Sequence, residues 1–395
     1  MRTAKLKDIT LTITDGKHGD CKNHDGSGYY FISCKDVYDE TIHYENARQI
    51  TEDDFRDADK RTNLAAYDIL ITNSGTIGRM ALVKDIPETR KTTFQKSVAI
   101  VRADTSQVVP NYLYYLLKSK VHDFINSSNG SAQKNLLLST MRDFDISFVD
   151  SFETQHRIAT ILSRYDSLIE NYQKQIKLLE EAAQRLYKEW FVDLRFPGHE
   201  NTNITNGVPE GWEKKSIGEI GEYLNGFAFK PSDWQELGKP IIKIKEMGNG
   251  VTNETPRNGG ERVPAKYLIK AGDLLFSWSA TLMVIIWSGE EGWLNQHLFK
   301  VTPVKGIDRE FLLQSISNTI VEFQNLTTGS TMKHIQRNKL DQVFVNVPNA
   351  EIMKRYSDIS EKTRSNILSL QSQLRLLTEA RDRLLPKLMS GEIEV

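Results

Sequence analysis

His18, Cys21 and His24 stand three positions apart near the start of the chain, and two imidazoles with a thiolate at close spacing could share a metal ion. No second ligand pair follows at zinc-site spacing and the surrounding residues read as a loop, so no metal is expected. Glu213 and Lys215 form a Glu-x-Lys element of the kind metal-dependent nucleases carry. Such a nuclease would also want an acidic residue well upstream on a neighbouring strand, and here the element reads as the solvated approach to a second domain. The chain has no Gly-Lys-Ser/Thr phosphate loop, no Asn/Asp-Pro-Pro-aromatic tetrapeptide of the kind used against a flipped base, and no glycine-rich cofactor turn after a strand. What it does carry is a set of small polar and basic groups suited to binding.

Those groups fall at matched places in two halves of the chain. The first is a turn after a buried strand: Thr72, Asn73, Ser74, Thr76 and Arg79 in one half, Ser277, Ser279 and Thr281 in the other. Hydroxyl and amide side chains on a turn can reach phosphates and base edges, although plain turn chemistry uses the same residue types. The second is a glycine-serine loop with basic neighbours. After Gly130 come Ser131, Gln133, Lys134 and Asn135; after Gly329 come Ser330, Lys333, His334 and Arg337. Backbone amides following a glycine, with a lysine beside them, suit a phosphate. The third is Gln95-Lys96 against Asn295-Gln296-His297, because Asn and Gln can read adenine through two hydrogen bonds. Lys17, Lys22, Lys35, Lys243 and Lys245 add local positive charge, while Tyr29, Tyr30, Phe31, Trp278 and Trp287 read as core.

The elements that must position these groups are legible in outline. Tyr29 to Ser33, Ile69 to Thr72 and Ser97 to Val101 read as short strands, and Asn111 to Lys120 as a helix after Pro110. From Phe152 to beyond Trp190 there is neither proline nor glycine. Ile158, Tyr165, Tyr172, Leu179 and Leu186 recur every seven positions, flanked by Leu162, Ile169, Ile176, Ala183 and Trp190. A further row holds Ile161, Leu168 and Ala182, broken by Gln175 and Glu189. This is a wide apolar stripe on a long helix. A second such helix starts near Glu351, with Tyr356, Leu370, Leu377 and Leu384 on one row and Ile359, Ile367, Leu374 and Leu388 alongside.

The halves are copies of one plan. DILITNSGTIGRMALV at 68–83 matches GDLLFSWSATLMVIIW at 272–287, Asn111 to Ser119 is echoed by Arg309 to Ser317, and NGSAQKNLLLSTMRDFDISFVD at 129–150 matches TGSTMKHIQRNKLDQVFVNVP at 328–348. Gly130 and Gly329 are 199 residues apart, as are Ile146 and Val345, which marks an internal duplication. The expected fold class is α+β: two similar globular domains, separated by two long helices that pair antiparallel as a coiled-coil spacer. The expected boundaries are 1–150, 151–194 (helix), 195–211 (linker rich in Asn, Thr, Gly and Pro), 212–348, 349–390 (helix) and a tail at 391–395. About 38 helical residues at 1.5 Å each give about 57 Å of rod, enough to hold two domains one or more duplex turns apart.

The bulk numbers set limits. With 51 basic and 52 acidic residues the net charge is −1, so any nucleic-acid contact must come from local patches. No run reaches the ~20 apolar residues of a membrane span, and the first residues lack a signal-peptide core, so a cytoplasmic location is expected. Two cysteines, Cys21 and Cys34, fit a reducing compartment.

The stretches FETQHRIATILSRYDSLIEN at 152–171, AQRLYKEWFVD at 183–193, VPEGW at 208–212 and RDRLLPKLMSGEIEV at 381–395 resemble the DNA specificity subunits of type I restriction-modification systems. The likeness spans essentially the whole chain, although Asn349 to Ser357 departs from the pattern near Glu153 to Ile158. The resemblance implies a non-catalytic subunit whose two domains each read one half of a bipartite, asymmetric DNA site. It implies that the helices set the spacer and dock two methyltransferase subunits, which hold S-adenosylmethionine for adenine N6 methylation. Motor-nuclease subunits, using ATP and Mg, would complete the complex; this chain would hold no cofactor. The apolar end of the first helix, at Leu186, Trp190 and Phe191, is the expected docking edge. Three other readings stay open: the specificity part of a related type II-like system, a chain with its own modification or cleavage chemistry, and a coiled-coil scaffold that never touches DNA.

Overall fold

The computed structural model describes residues 1–127, 135–326 and 337–395. They form two compact units, Met1–Leu168 with Leu377–Val395, and Ile169–Leu376.

In the first unit, strands Thr10–Asp15, Val98–Ala103, Ile69–Thr72 and Met80–Leu82 lie side by side in that order, every neighbouring pair antiparallel. Ile69–Thr72 is buried throughout, as a central strand covered on both faces should be. Tyr30–Ile32 pairs parallel with Thr92–Phe94, and Arg2–Lys5 pairs antiparallel with Asp145–Phe148. Helix Pro110–Ser119 starts on its proline, whose missing N–H costs nothing at a helix start, and buries six consecutive residues from Tyr112 to Leu117.

The second unit repeats this order. Its sheet runs Gly221–Asn225, Leu298–Pro303, Leu274–Ser277, Met283–Ile286, again antiparallel throughout. Lys239–Ile242 pairs parallel with Gly292–Leu294, and Glu213–Ser216 antiparallel with Phe344–Val347. Helix Arg309–Asn318 begins 199 residues after Pro110, and Phe344 follows Asp145 by the same interval. Even the acid before the central strand keeps its role. Arg102 Nε donates to Asp68 at 2.7 Å in the first unit, and Lys300 Nζ to Asp273 at 2.8 Å in the second. Each bond ties one sheet strand to its neighbour. The α+β class with two similar domains and two long helices is the observed one.

The long helices span Phe152–Tyr187, continued by a π turn at Lys188–Val192, and Ala350–Ser390. Within the first unit, Ile158, Ala159 and Leu162 share a core with Leu385, Leu388 and Met389, an antiparallel pairing. Within the second, Trp190 and Phe191 meet Tyr356 at ring distances of 6.1 and 4.9 Å, antiparallel again. The seam is the row Leu162, Ile169, Ile176, Ala183 and Trp190, all buried, rather than the row through Tyr165 and Tyr172, which is half-buried. Leu168 and Ala182 of the further row are exposed while Ile161 packs against the first unit's core, and Ile359 is exposed although Ile367 and Leu388 on its row are buried.

One expectation needs correction. Trp190 and Phe191 are buried in the second unit's core among Phe311, Trp212 and Tyr356, with Leu186 packed against them, so they form no free docking edge. The wide π turn brings these adjacent aromatics inward together, and the neighbouring Tyr187 hydroxyl, 3.0 Å from Ser315, is pushed up to about 12 by burial. The linker is also structured. Ile204–Thr205 and Val208–Pro209 make a small hairpin around Asn206-Gly207, both at positive φ, the residue pair that such a tight turn favours.

Candidate nucleic-acid interface

At one end of each four-stranded sheet, separate loops are tied by backbone hydrogen bonds into one cluster. In the first unit Gly16 N–H donates to Val98 O, Lys17 to Phe94, Lys96 to Lys17 and Gln95 to Ile32. Asn73 N–H donates to Ser97 O at 3.0 Å and Leu136 to Asn73 O at 2.8 Å. Cys34 N–H donates to Ser97 Oγ at 3.1 Å, which places Lys35 on the next residue out. In the second unit Gly226 N–H donates to Leu298 O, Phe227 to Leu294, Asn295 to Ile242 and Trp278 to His297. All three groups singled out in the first unit, the turn at 72–79, Gln95-Lys96 and Asn135, therefore reach the same place.

Gly16 and Gly226 are the tightest points. A Cβ on Gly16 would sit 2.1 Å from Phe94 O, and one on Gly226 2.1 Å from Asn295 O. No side chain fits against backbone at that distance. Gly16→Ala and Gly226→Ala are each expected to destabilise their own unit by about 1–3 kcal/mol. Amide hydrogen exchange should quicken at 94–97 for the first variant and at 294–297 for the second; equal changes in both units would contradict the geometry. The signal in the sequence is the Asp15-Gly16 and Asn225-Gly226 dipeptides.

The turn after the central strand is held by the same bonds in both units, with a return one residue shorter in the second. Thr72 Oγ1 and Ser277 Oγ are fully buried, and each donates to the carbonyl four residues on, Thr76 or Thr281. Each also accepts from the backbone N–H where the chain returns, Arg79 at 2.9 Å and Met283 at 2.9 Å. At the tip Gly75 and Ala280 both take positive φ, 75° and 57°. Thr72 and Ser277 hold the turn from inside and are not available to a ligand. The same holds for Ser279 and Asn295, both buried: Ser279 Oγ lies 3.4 Å from His297 Nδ1, and Asn295 Oδ1 accepts from His297 N–H at 3.4 Å. Asn73 is buried too, its Oδ1 without a hydrogen-bond partner among the described residues.

The outward residues of the first cluster are Thr76, Arg79, Lys96 and Asn135, with Ser74 and Gln95 half-buried. In the second they are Thr281, with Gln296 and His297 half-buried against Trp278, whose indole N–H donates to Asn225 at 3.3 Å. The lysines divide. Lys17 spends its charge on Asp57 at 3.1 Å; that bond holds the ammonium above, and the Asp57 carboxyl below, their ordinary values. Lys245 pairs with Glu254 at 3.3 Å, whereas Lys22 and Lys35 are exposed and Lys243 lies over the Trp234 ring. Arg337 is exposed at the start of a short 3-10 helix. Ser131, Gln133, Lys134, Ser330, Lys333 and His334 lie outside the described residues.

The residues at metal-like and nuclease-like spacing have partners within the chain. His18 Nε2 is 2.9 Å from Asp15, Cys21 is packed with Phe31, Ile50 and Phe55, and Lys215 pairs with Glu213 at 2.6 Å. Among the described residues no helix is long and apolar enough to cross a membrane.

The family described as the type I restriction modification DNA specificity domain matches residues 3–181 and 209–374. The type I restriction enzyme MjaIX specificity subunit of Methanocaldococcus jannaschii is 28% identical over 397 residues, covering 95% of this chain and 89% of that protein. The HindI specificity subunit of Haemophilus influenzae is 23% identical, covering 74% and 80%. The crystal structure of the type I restriction-modification S subunit from M. genitalium superposes with a TM-score of 0.58 at 16% identity, over 98% of this chain and 96% of that one, a likeness of fold.

Proposed function

The chain belongs to the type I restriction modification DNA specificity family, and from that premise we propose that each unit reads one half of a bipartite, asymmetric DNA site. The observation that supports this reading is the loop cluster, built on the same backbone bonds in both units but showing different side chains outward. Arg79, Lys96 and Asn135 face out in one; Thr281, Gln296 and His297 in the other. One scaffold with two sets of readers suits two unlike half-sites on a duplex whose backbone is locally twofold.

The chain carries no chemistry of its own in this reading. Two methyltransferase subunits would dock on the long helices and bring S-adenosylmethionine; motor-nuclease subunits would bring ATP and Mg. The long helices would set the spacing between half-sites.

The test is binding by the complex of this chain with its methyltransferase subunits, against duplexes carrying and lacking the sequence found by mapping methylated adenines in host DNA. Selective, salt-sensitive binding is expected; equal binding to all duplexes would rule out the specificity role. Arg79→Gln and Lys96→Gln are each expected to weaken binding about uniformly across sequences and to lower the salt slope by about 1, as loss of one phosphate contact does. An unchanged slope would remove that residue from the interface.

A further inference from the structure

Trp234 is the only exposed tryptophan among the described residues. It is 48% exposed and joins none of the hydrophobic cores. Nor is it left out by a loose loop. Pro231 O accepts the Trp234 N–H, Asn258 Nδ2 donates to Asp233 O at 2.6 Å, and Gln235 Oε1 accepts from Gly259 N–H at 2.6 Å. The backbone on both sides is pinned, so the indole is displayed.

Its neighbour is informative. Lys243 Nζ stands 4.7 Å from the centre of the Trp234 ring and is in no ion pair among the described residues, the nearby Glu246 carboxylate accepting the Lys243 backbone N–H at 3.1 Å instead. Lys243 directly follows Ile242, whose carbonyl accepts the N–H of Asn295, the first residue of the outward loop Asn295–His297. An exposed aromatic face and an unneutralised ammonium thus flank the second unit's loop cluster. At the position 210 residues earlier, the interval that separates Gly16 from Gly226, the first unit has His24.

Building on the DNA-reading role, we propose that Trp234 is a wedge that stacks on a base at one step of the second unit's half-site, partly unstacking it, while Lys243 takes the flanking phosphate. An aromatic face beside a lone cation fits a nucleotide, which offers a π face and an anion at that separation. Unstacking one step is offset by the new stack and by the closer fit of bent DNA.

The wedge is tested in the full complex with its methyltransferase subunits, using 2-aminopurine placed step by step through the mapped site. Wild type should show a fluorescence rise at a step in one half-site only. Trp234→Ala should abolish that rise and weaken binding about 5- to 150-fold, the loss of one base stack, with the salt slope unchanged. Trp234→Phe should keep most of both, and Lys243→Gln should keep the rise while lowering the salt slope. Subunit assembly should be normal in all three. A Trp234→Ala complex that binds selectively with the wild-type signal overturns the wedge alone, as does one that fails to assemble. A wild-type complex without selective binding overturns the wedge and the DNA-reading role together.

Discussion

Replacing Arg364 with alanine is expected to cost the second unit about 3–5 kcal/mol of stability, the usual penalty for stranding one member of a buried ion pair. Arg364 Nε donates to Glu310 Oε2 at 2.8 Å and Nη2 to Oε1 at 2.9 Å, a two-pronged contact with side chains only 8% and 4% exposed. Gln314 Nε2 adds a third donor to Glu310 at 2.8 Å. Removing the guanidinium leaves a carboxylate with one neutral donor and almost no water. Replacing both members, as Arg364→Met with Glu310→Leu, should recover most of the loss, since no charge is then left buried. Urea unfolding followed by tryptophan fluorescence reads both values. A single-variant loss under about 1 kcal/mol, the range of surface pairs, would show that the pair is wetter than its geometry indicates.

The duplicated plan keeps this device but reverses its sign. Counting from the starts of the two long helices, Phe152 and Ala350, the position of Arg364 in the second corresponds to Asp166 in the first. Asp166 accepts from Arg381 Nη1 at 2.8 Å and from the Tyr115 hydroxyl at 2.5 Å, and Arg381 also reaches Glu40 at 3.0 Å. The residue matching Arg381 in the first helix is Ala183. Each unit thus seats one arginine from the second long helix, in the helix's first half in one case and its last turns in the other.

Phe191→Ala is expected to cost about 3–5 kcal/mol, as large-to-small changes at packed aromatics do. Its ring meets Phe311 at 4.9 Å, Tyr356 at 4.9 Å and Trp212 at 5.8 Å, in edge-on or tilted contacts. The loss should appear in the isolated chain as a lower urea midpoint and be no larger when methyltransferase subunits are present. A variant that unfolds as wild type does, but fails to assemble, would restore Phe191 to a docking role.

That residue shows where sequence reading stops. A stripe wide enough to be recognised on a helix contains three rows, and periodicity alone does not say which row faces the neighbour and which the water. The row through Tyr165 holds two tyrosines that stay half-buried, whereas the row through Ile169 and Ile176 is the buried one. Thr72 and Ser277 show the same limit in a turn. A hydroxyl suits a phosphate or a backbone carbonyl equally well, and only the fold shows that both point inward. Helix Glu52–Thr62 gives little periodic signal because only Phe55, Ala58 and Thr62 are buried on it; its start is marked by Thr51, whose hydroxyl accepts from Asp54 N–H. The duplication was legible because identical intervals require no knowledge of direction. That Gln95-Lys96 and the 72–79 turn meet at one end of the sheet follows only from the fold.

The first unit closes only when its last piece arrives. Its core takes Leu385, Leu388 and Met389 from the far end of the chain, and Glu40 and Asp166 wait for Arg381. The second unit needs nothing beyond Leu376. On the ribosome, the polypeptide for the first unit is made early and then waits for roughly 200 further residues, on the order of 10–40 s at ordinary elongation rates. Ile158, Ala159 and Leu162 stay uncovered by their helical partner through that interval. The second unit has all its parts while the first is still open, so the unit translated first is the last to be finished.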